Sequence, residues 1–333
     1  MNQLRRTFIK RIAAGTAGAG IILPNFFTSC TAKESTEYHS KTIEAGESAT
    51  DSPKELFFKI SLAEWSLHKT LFAGKMSNMD FPAKAKSDFG IDALEFVNQF
   101  FKDKAKDQTY LTELKQRTDD LGITNVLIMI DQEGGLGDVD DDARLKAVEN
   151  HYKWVEAAKY LGCHSIRVNA YGEGSAEEVM AAAVDGLGRL SEFGAEHDIG
   201  VIVENHGGYS SNGKWLADVM EQVGNPNCGT LPDFGNFCIE RDPEDGSVCL
   251  KDYDRYEGTK ELMPFAKGVS AKSNAFDESG NETKTDFRKM LSIVKDAGFR
   301  GYVGVEYEGS ELSEDDGIKA TKALLEKVGA ELS

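Results

Sequence analysis

The sequence predicts an α/β fold: a single (β/α)8 TIM barrel preceded by a signal peptide and a disordered tether. From residue 57 onward, a short apolar segment, a polar stop and an amphipathic segment recur eight times. This region spans about 275 residues without an internal linker, which suits one barrel. The first predicted strand is followed by "LAEWSLHKT", which lacks the glycine-rich phosphate turn typical of a doubly wound sheet.

The N-terminus, residues 1–30, carries the features of an export signal. "RRTFIK" precedes the apolar, small-residue run "IAAGTAGAGIIL", and the run leads to "FTSC", which ends at Cys30. The arrangement resembles a twin-arginine signal followed by a lipoprotein cleavage box. The resemblance implies export in the folded state and a lipid on Cys30, hence a membrane-anchored lipoprotein at the periplasm or cell surface.

Residues 31–55 are polar and rich in Ser, Thr and Glu. Such a segment cannot bury enough apolar surface to order itself, so we expect a polar linker. The barrel domain is then expected over residues 56–331.

The formal net charge of −18 restricts the partners of the chain. A strongly acidic protein is not attracted to nucleic acid or to anionic lipid. Beyond the signal, no stretch approaches the roughly 20 apolar residues of a membrane span. We therefore expect no nucleic-acid partner, and membrane contact only through the N-terminal lipid. Neutral or cationic small molecules and metal ions are the easier partners.

The repeating pattern assigns eight strands and several helices in order. The predicted strands are 58–65, 91–97, 124–130, 164–170, 200–205, 228–234, 266–272 and 301–307. Helical periodicity is clearest over residues 142–162, 285–298 and 313–329. Ser313 is an N-cap candidate for the last helix, and Gly298 is a C-cap candidate for the one before it.

Two long acidic loops, 131–142 and 238–254, are expected as lids at the mouth of the barrel. Cys238 and Cys249 flank the second loop; a disulfide and a pair of free thiols are both open for them. The chain has no Cys-x-x-Cys pair, so a structural zinc site is not expected.

Polar residues stand at the ends of the predicted strands, where the working face of a barrel lies. In strand order they are Glu64, Trp65 and His68; Glu95, Asn98 and Gln99; Asp131 and Glu133; Arg167, Asn169 and Tyr171; Glu204 and His206; Asp233 and Asn236; Ser270 and Lys272; and Glu306 and Glu308. Side chains two apart on a strand share a face, so Glu204 and His206 are expected to point together into the mouth if the strand extends that far.

Three of these acids, Glu204, Asp233 and Glu306, end the fifth, sixth and eighth strands. Bringing three carboxylates together without a counter-charge is costly. A divalent cation would relieve the repulsion, and oxygen ligands suit Mg, Mn or Co. We therefore expect a metal site formed by these three residues.

The region 57–329 resembles the xylose isomerase-like TIM-barrel family of sugar phosphate isomerases and epimerases. The segments that carry the resemblance are "ISLAEWSLH", "ALEFVNQFF", "VENHGG", "PDFGNF" and "GVEYEG". Many members hold a divalent metal (Mg, Mn, Co or Zn) through Glu, Asp, His and Glu. Glu204, Asp233 and Glu306 match the acids, whereas Ser270 stands where the family has its histidine. The resemblance therefore leaves a weaker metal site, a site that uses His206, or no metal.

The resemblance implies proton abstraction next to the carbonyl of a free sugar, keto-sugar or glycoside. Glu204 and Glu306 would act as base and acid on opposite faces of the sugar. Lys272 would neutralise the enolate oxygen, or else form an ion pair with Glu306. For His206 three roles are open: general acid, metal ligand, or a donor that supports Glu204. The residues expected to bind the carbohydrate are Trp65, His68, Glu95, Arg167, Asn169 and Asn236.

Other functions remain open. The same base would give a lyase if the substrate were a 3-keto-glycoside with a leaving group. A lipid-anchored sugar-binding protein without turnover and a degenerate barrel that docks a partner are further alternatives. A DNA-repair role like that of endonuclease IV is not expected, because that site is rich in histidine and this chain has only 6 His.

Overall fold

A computed structural model describes residues 55–333. The predicted export signal 1–30, including Cys30, and the predicted linker up to residue 54 lie outside these residues. Within 55–333, no helix combines the length and the apolar character needed to cross a membrane.

Eight parallel strands form the barrel, and two more form a separate antiparallel hairpin. The strands are β1 Lys59–Ala63, β2 Ala93–Val97, β3 Thr124–Met129, β4 Ser165–Val168, β5 Gly200–Glu204, β6 Cys228–Leu231, β7 Cys238–Arg241, β8 Cys249–Asp252, β9 Val269–Ser273 and β10 Tyr302–Tyr307. The barrel order is β6-β5-β4-β3-β2-β1-β10-β9. Parallel bridges from Thr230 to Ala266 and from Asp233 to Ser270 join the two ends of this sheet. The predicted barrel is confirmed.

Helices alternate with the barrel strands and surround them. They are α1 His68–Phe72, α2 Phe81–Phe89, α3 Gln108–Asp120, α4 Asp141–Leu161, α5 Ala176–Glu196, α6 Gly213–Val223, α7 Arg255–Leu262, α8 Phe287–Asp296 and α9 Glu314–Leu332. Ser313 caps α9 as predicted, because its side chain accepts a hydrogen bond from the Asp316 backbone. Gly298 lies one residue beyond the C-cap of α8 and has a φ of 76°.

The strands divide their apolar side chains between two layers. One face packs under the helices, and alternate residues such as Leu127, Ile202 and Leu231 form a smaller cluster inside the barrel. Strand alternation explains this division. The apolar cluster fills part of the barrel interior, and polar side chains occupy its C-terminal end.

The two long acidic loops adopt different structures. Segment 131–142 packs against the rest of the protein: Leu136 is fully buried, and the Gly137 N–H donates to the Tyr171 carbonyl at 2.7 Å. Segment 238–254 contains the hairpin β7–β8, which the disulfide between Cys238 and Cys249 closes. The two other cysteines in the described range, Cys163 and Cys228, are free and buried.

Candidate active site

Glu204, Asp233 and Glu306 meet at the C-terminal end of the barrel. Glu204 is the last residue of β5, Asp233 lies two residues beyond β6, and Glu306 lies near the end of β10. One carboxylate oxygen from each lies within 4.8 Å of the others, and all three side chains are buried. The strand ends therefore bring together the three acids that the sequence singled out.

Ser270 lies between two of these acids. Its Oγ is 2.6 Å from Asp233 Oδ2 and 2.7 Å from Glu306 Oε2. A hydroxyl has one hydrogen, so both contacts are hydrogen bonds only when one carboxyl is protonated. Burial raises the pKa of Asp233 to about 6 and the pKa of Glu306 to about 7. Ser270 therefore links the two carboxyls at the position where the resemblance placed a histidine.

Lys272 is a buried cation beside the same acids. Its Nζ lies 3.6 Å from Glu306 Oε1, 3.3 Å from Glu308 Oε2 and 3.9 Å from Asp233 Oδ2. Burial by itself would lower the pKa of Lys272, but these carboxylates hold it well above its usual value. Lys272 is thus protonated and faces several acids, not Glu306 alone.

Arg167 supplies a second buried cation, and it lies beside Glu204. Its Nε is 2.9 Å from Glu204 Oε2, and its Nη1 donates to Asp131 Oδ1 at 2.9 Å. Burial would raise the pKa of Asp131, yet Arg167 lowers it to about 2. Burial raises the pKa of Glu204 to about 7 despite Arg167. Asn169 contacts Asp131 rather than Glu204: its side-chain amide donates a hydrogen bond to Asp131 Oδ1 at 2.8 Å.

Asn236 and Asn205 hold the turn that carries Asp233. The backbone N–H groups of Gly235 and Asn236 both donate to Asp233 Oδ1 at 2.8 Å. The Asn236 amide donates to Glu204 Oε1 at 2.9 Å, and its oxygen accepts from Lys272 at 3.1 Å. Asn205 donates to the Asp233 carbonyl at 3.0 Å. The sequence analysis assigned no role to Asn205, although this residue lies between Glu204 and His206 in the chain.

His206 lies beyond the end of β5, so strand alternation does not orient it with Glu204. Its Nδ1 pairs with the Tyr171 hydroxyl, which also donates to the His206 carbonyl at 2.7 Å. Burial, then Arg167 and Lys272, lower the pKa of His206 to about 3. The imidazole is therefore neutral near pH 7, and in residues 55–333 the group of possible metal ligands contains Glu204, Asp233 and Glu306 but not His206.

Trp65 and His68 form part of the rim beside β1. Their rings stack with centroids 4.9 Å apart, and Trp65 also stacks on Phe100 at 6.0 Å. Burial would raise the pKa of Glu308, but Lys272 and a hydrogen bond from Trp65 keep it below its usual value. Glu308, like Asp131, was noted at a strand end without a role and proves to be an ionised partner of the buried cations.

Glu95 lies inside the barrel rather than at its open rim. It is 1% exposed, and its Oε1 accepts from the Ser61 hydroxyl at 2.5 Å. A Cβ at Gly304 would meet both Glu95 carboxylate oxygens at 2.8 Å, so glycine leaves room for this acid. Burial raises the pKa of Glu95 to about 8. The predicted contact of Glu95 with a substrate remains a prediction.

The three acids could hold a divalent cation. Every candidate metal-ligand atom in the group is a carboxylate oxygen. The hydroxyl of Ser270 is a further oxygen, and it lies within 2.7 Å of two of these carboxylates. An all-oxygen set suits Mg or Mn better than zinc. The raised pKa values also fit, because a bound cation would favour the ionised carboxylates that burial, and to a smaller extent their mutual repulsion, disfavours.

The family model described as "Xylose isomerase-like TIM barrel" matches residues 83–328. The chain belongs to the xylose isomerase-like TIM barrel family. No curated protein matches the chain in sequence.

Several solved structures share the fold of this chain at low sequence identity. A D-tagatose 3-epimerase-like protein has a TM-score of 0.63 and 15% identity, covering 83% of this chain and 100% of its own. 3-Keto-D-glucoside 4-epimerase from E. coli has a TM-score of 0.56 and 15% identity, covering 82% and 100%. A xylose isomerase-like TIM barrel protein from Mycobacterium smegmatis, in complex with magnesium, has a TM-score of 0.60 and 14% identity, covering 84% and 100%.

Proposed function

We propose that the protein is a sugar isomerase or epimerase that moves a proton at a carbon next to a carbonyl. The observation that carries the proposal is the convergence of Glu204, Asp233 and Glu306 with Lys272 and Arg167 in one buried group. Membership of the xylose isomerase-like family supports the reaction class.

Glu204 and Glu306 are the proposed proton-transfer groups. They lie on strands that are not neighbours in the barrel, and burial raises the pKa of each to about 7. Without a bound cation, one carboxylate can therefore take a proton near neutral pH while the other carboxylic acid returns one. If the proton leaves one face of a carbon and returns on the other, that stereocentre is inverted. If the proton moves between adjacent carbons, the sugar is isomerised.

Positive charge is available where the substrate oxygen gains negative charge. Lys272 presents its ammonium group beside Glu306, and Arg167 keeps a guanidinium beside Glu204. A divalent cation held by Glu204, Asp233 and Glu306 would add Lewis-acid stabilisation of that developing charge.

A free sugar, keto-sugar or glycoside is the proposed substrate class. Two of the structural neighbours carry the names of a D-tagatose 3-epimerase-like protein and of a 3-keto-D-glucoside 4-epimerase. Both names describe epimerisation next to a sugar carbonyl. If the substrate has a leaving group beside the carbanion, the same step gives elimination, so the product decides between epimerase and lyase.

The test is solvent-deuterium exchange into D-tagatose, D-fructose and 3-keto-glucosides, with product identification. The protein is stripped with chelator and reloaded with Mg, Mn, Co or Zn. We expect exchange in the wild type, and a loss of about 100-fold or more in Glu204→Gln and in Glu306→Gln. His206→Asn should lose less, because its ring bonds to Tyr171.

Glu311→Gln is the matched control, since Glu311 is an exposed acid in the loop that follows β10. It should keep wild-type exchange. Full exchange in Glu204→Gln would make Glu204 a structural acid and refute the proposal.

We further propose that the protein is exported and anchored through a lipid on Cys30, on the strength of "RRTFIK" and "FTSC". Changing Arg5 and Arg6 to Lys should block export. Cys30→Ala should release the exported protein from the membrane fraction, and unchanged partitioning would contradict the anchor.

A further inference from the structure

A cleft of about 350 Å³ lies between the loops after β4 and β5 and the hairpin β7–β8. Its lining residues are Ala170, Tyr171, Gly172, Gly207, Gly208, Tyr209, Ile239, Glu240 and Lys251. None of the proton-transfer or metal-site residues lines it. The cleft is therefore a separate space that the proposed reaction leaves unused.

The cleft shares a wall with the reacting centre. Tyr171 lines the cleft and pairs with His206, which lies two residues beyond Glu204. The loop that carries Gly207 and Gly208 also holds Asn236, because the Ser211 hydroxyl donates to the Asn236 carbonyl at 2.8 Å. Tyr171 and His206 thus lie at the boundary between the acids and the cleft.

Two aromatic rings of the cleft are fixed in place. The Tyr209 hydroxyl donates to the Gly174 carbonyl at 2.9 Å, and its ring stacks on Trp215 with centroids 5.8 Å apart. Tyr171 is held by its two contacts with His206. Rigid tyrosines offer an apolar face and a polar tip at low entropic cost, which suits one face of a sugar ring.

The rest of the cleft offers room and hydrogen-bonding groups. A Cβ at Gly207 or Gly208 would meet nothing within 4 Å, and both residues have positive φ, which favours glycine there. Glu240 and Lys251 are register partners in the hairpin, and both are exposed. One carboxylate and one ammonium can serve several hydroxyls, whereas the carboxylate disfavours an anionic ligand.

We propose that this cleft binds the second sugar ring of a glycoside whose first ring reacts at the carboxylates. The inference rests on the proposed function, and it makes a disaccharide-like glycoside the substrate class. A volume of about 350 Å³ is at the lower end of ligand pockets, about 300–1,000 Å³, so it suits one ring rather than a chain.

Binding to the full chain, loaded with Mg, tests the subsite without turnover. Kd is measured by calorimetry for methyl β-glucoside and for cellobiose, maltose, sucrose and trehalose, which differ in linkage. At least one disaccharide should bind ten-fold or more tightly than the methyl glycoside. Saturation-transfer NMR should show both of its rings in contact with the protein.

Variants locate the second ring. The double variant Glu240→Ala with Lys251→Ala, and separately Tyr209→Ala, should bring the Kd ratio of disaccharide to methyl glycoside close to one. Tyr209→Phe should keep most of the ratio, because it keeps the ring. Leu250→Ala is the matched control: Leu250 is 54% exposed on the same hairpin and does not line the cleft.

The outcomes separate the two proposals. A ratio of one in the wild type, no binding of any of these sugars, or a ratio that persists in the hairpin double variant overturns the subsite. A ten-fold ratio without deuterium exchange keeps the subsite and refutes the isomerase. Deuterium exchange into monosaccharides, together with equal Kd values for disaccharide and methyl glycoside, keeps the isomerase and refutes the subsite.

Discussion

Arg167 carries much of the charge balance at the barrel mouth. It is 4% exposed and lies between Glu204 and Asp131, so its removal leaves two buried carboxylates with less compensation. Breaking a buried pair from one side costs about 3–5 kcal/mol. We expect Arg167→Met to lower the free energy of unfolding by about that amount, measured by urea denaturation.

Arg189→Met is the matched comparison for this loss. Arg189 pairs with Asp185 one helical turn away, and its side chain is 52% exposed. Exposed pairs of this kind contribute about 0–1 kcal/mol. Equal losses in the two variants would show that the Arg167 pairs carry no special stability.

The sequence located single acids well and their partners poorly. Glu204, Asp233 and Glu306 were predicted because each stands at a strand end. Ser270 was placed at the end of the seventh predicted strand, but its two contacts could not be predicted, since they form only when β9 lies between the ends of β6 and β10. His206 was expected to share a face with Glu204 if the strand extended that far; β5 ends at Glu204, and the His206 ring pairs with Tyr171.

Two of the three glycines in helix α5, Gly186 and Gly188, have opposite surroundings. A Cβ at Gly186 would lie 2.2 Å from the Leu136 carbonyl oxygen, whereas a Cβ at Gly188 would meet nothing within 4 Å. Gly186 therefore lets the packed segment 131–142 approach the helix. Gly188 only weakens the helix, by about 1 kcal/mol relative to alanine.

Substitution of each glycine by alanine tests this packing. Gly186→Ala should destabilise the protein, since a backbone carbonyl must move, and Gly188→Ala should stabilise it by up to about 1 kcal/mol. Both are read from the midpoint of urea unfolding. A stabilising Gly186→Ala would mean that segment 131–142 is not packed on α5.

Elements with strong periodicity were predictable, and the hairpin was not. All eight barrel strands fall at or within three residues of their expected bounds, because buried strands read as apolar runs between polar stops. Strand β8, Cys249–Asp252, is exposed along its whole length, so no apolar pattern reveals it. The disulfide that closes the hairpin was one of two alternatives that the sequence left open.

At the scale of the whole molecule, closing the barrel forces acids into its interior. Burial raises the pKa of Glu95 to about 8 and the pKa values of Glu204 and Glu306 to about 7, against an ordinary value of 4.5. Between these limits the folded chain holds protons that the unfolded chain has released. Stability therefore falls as pH rises, and the loss is complete only above the folded pKa values.

Histidine burial has the opposite sign. Burial lowers the pKa of His206 from 6.5 to about 3, so below pH 6.5 the unfolded chain binds the extra proton and stability rises with pH. Burial lowers the pKa values of His151 and His164 as well. These contributions end near pH 6.5, so between about pH 6.5 and 8 the buried acids with raised pKa values govern how stability changes with pH.

We therefore expect the metal-free protein, in chelator, to lose thermal stability from pH 6.5 to 8. Each group that holds a proton only in the folded state contributes up to about 1.4 kcal/mol per pH unit, and each kcal/mol shifts Tm by about 2–4 °C. Glu95→Gln should flatten the part of the curve between pH 7 and 8, because it removes the acid with the highest of these pKa values. Excess Mg should raise Tm more at pH 8 than at pH 6.5, since a cation binds the deprotonated carboxylates of the folded state. A Tm in chelator that stays level or rises from pH 6.5 to 8 would mean that the buried acids are ionised together without a cation. Mg should then raise Tm equally at pH 6.5 and pH 8.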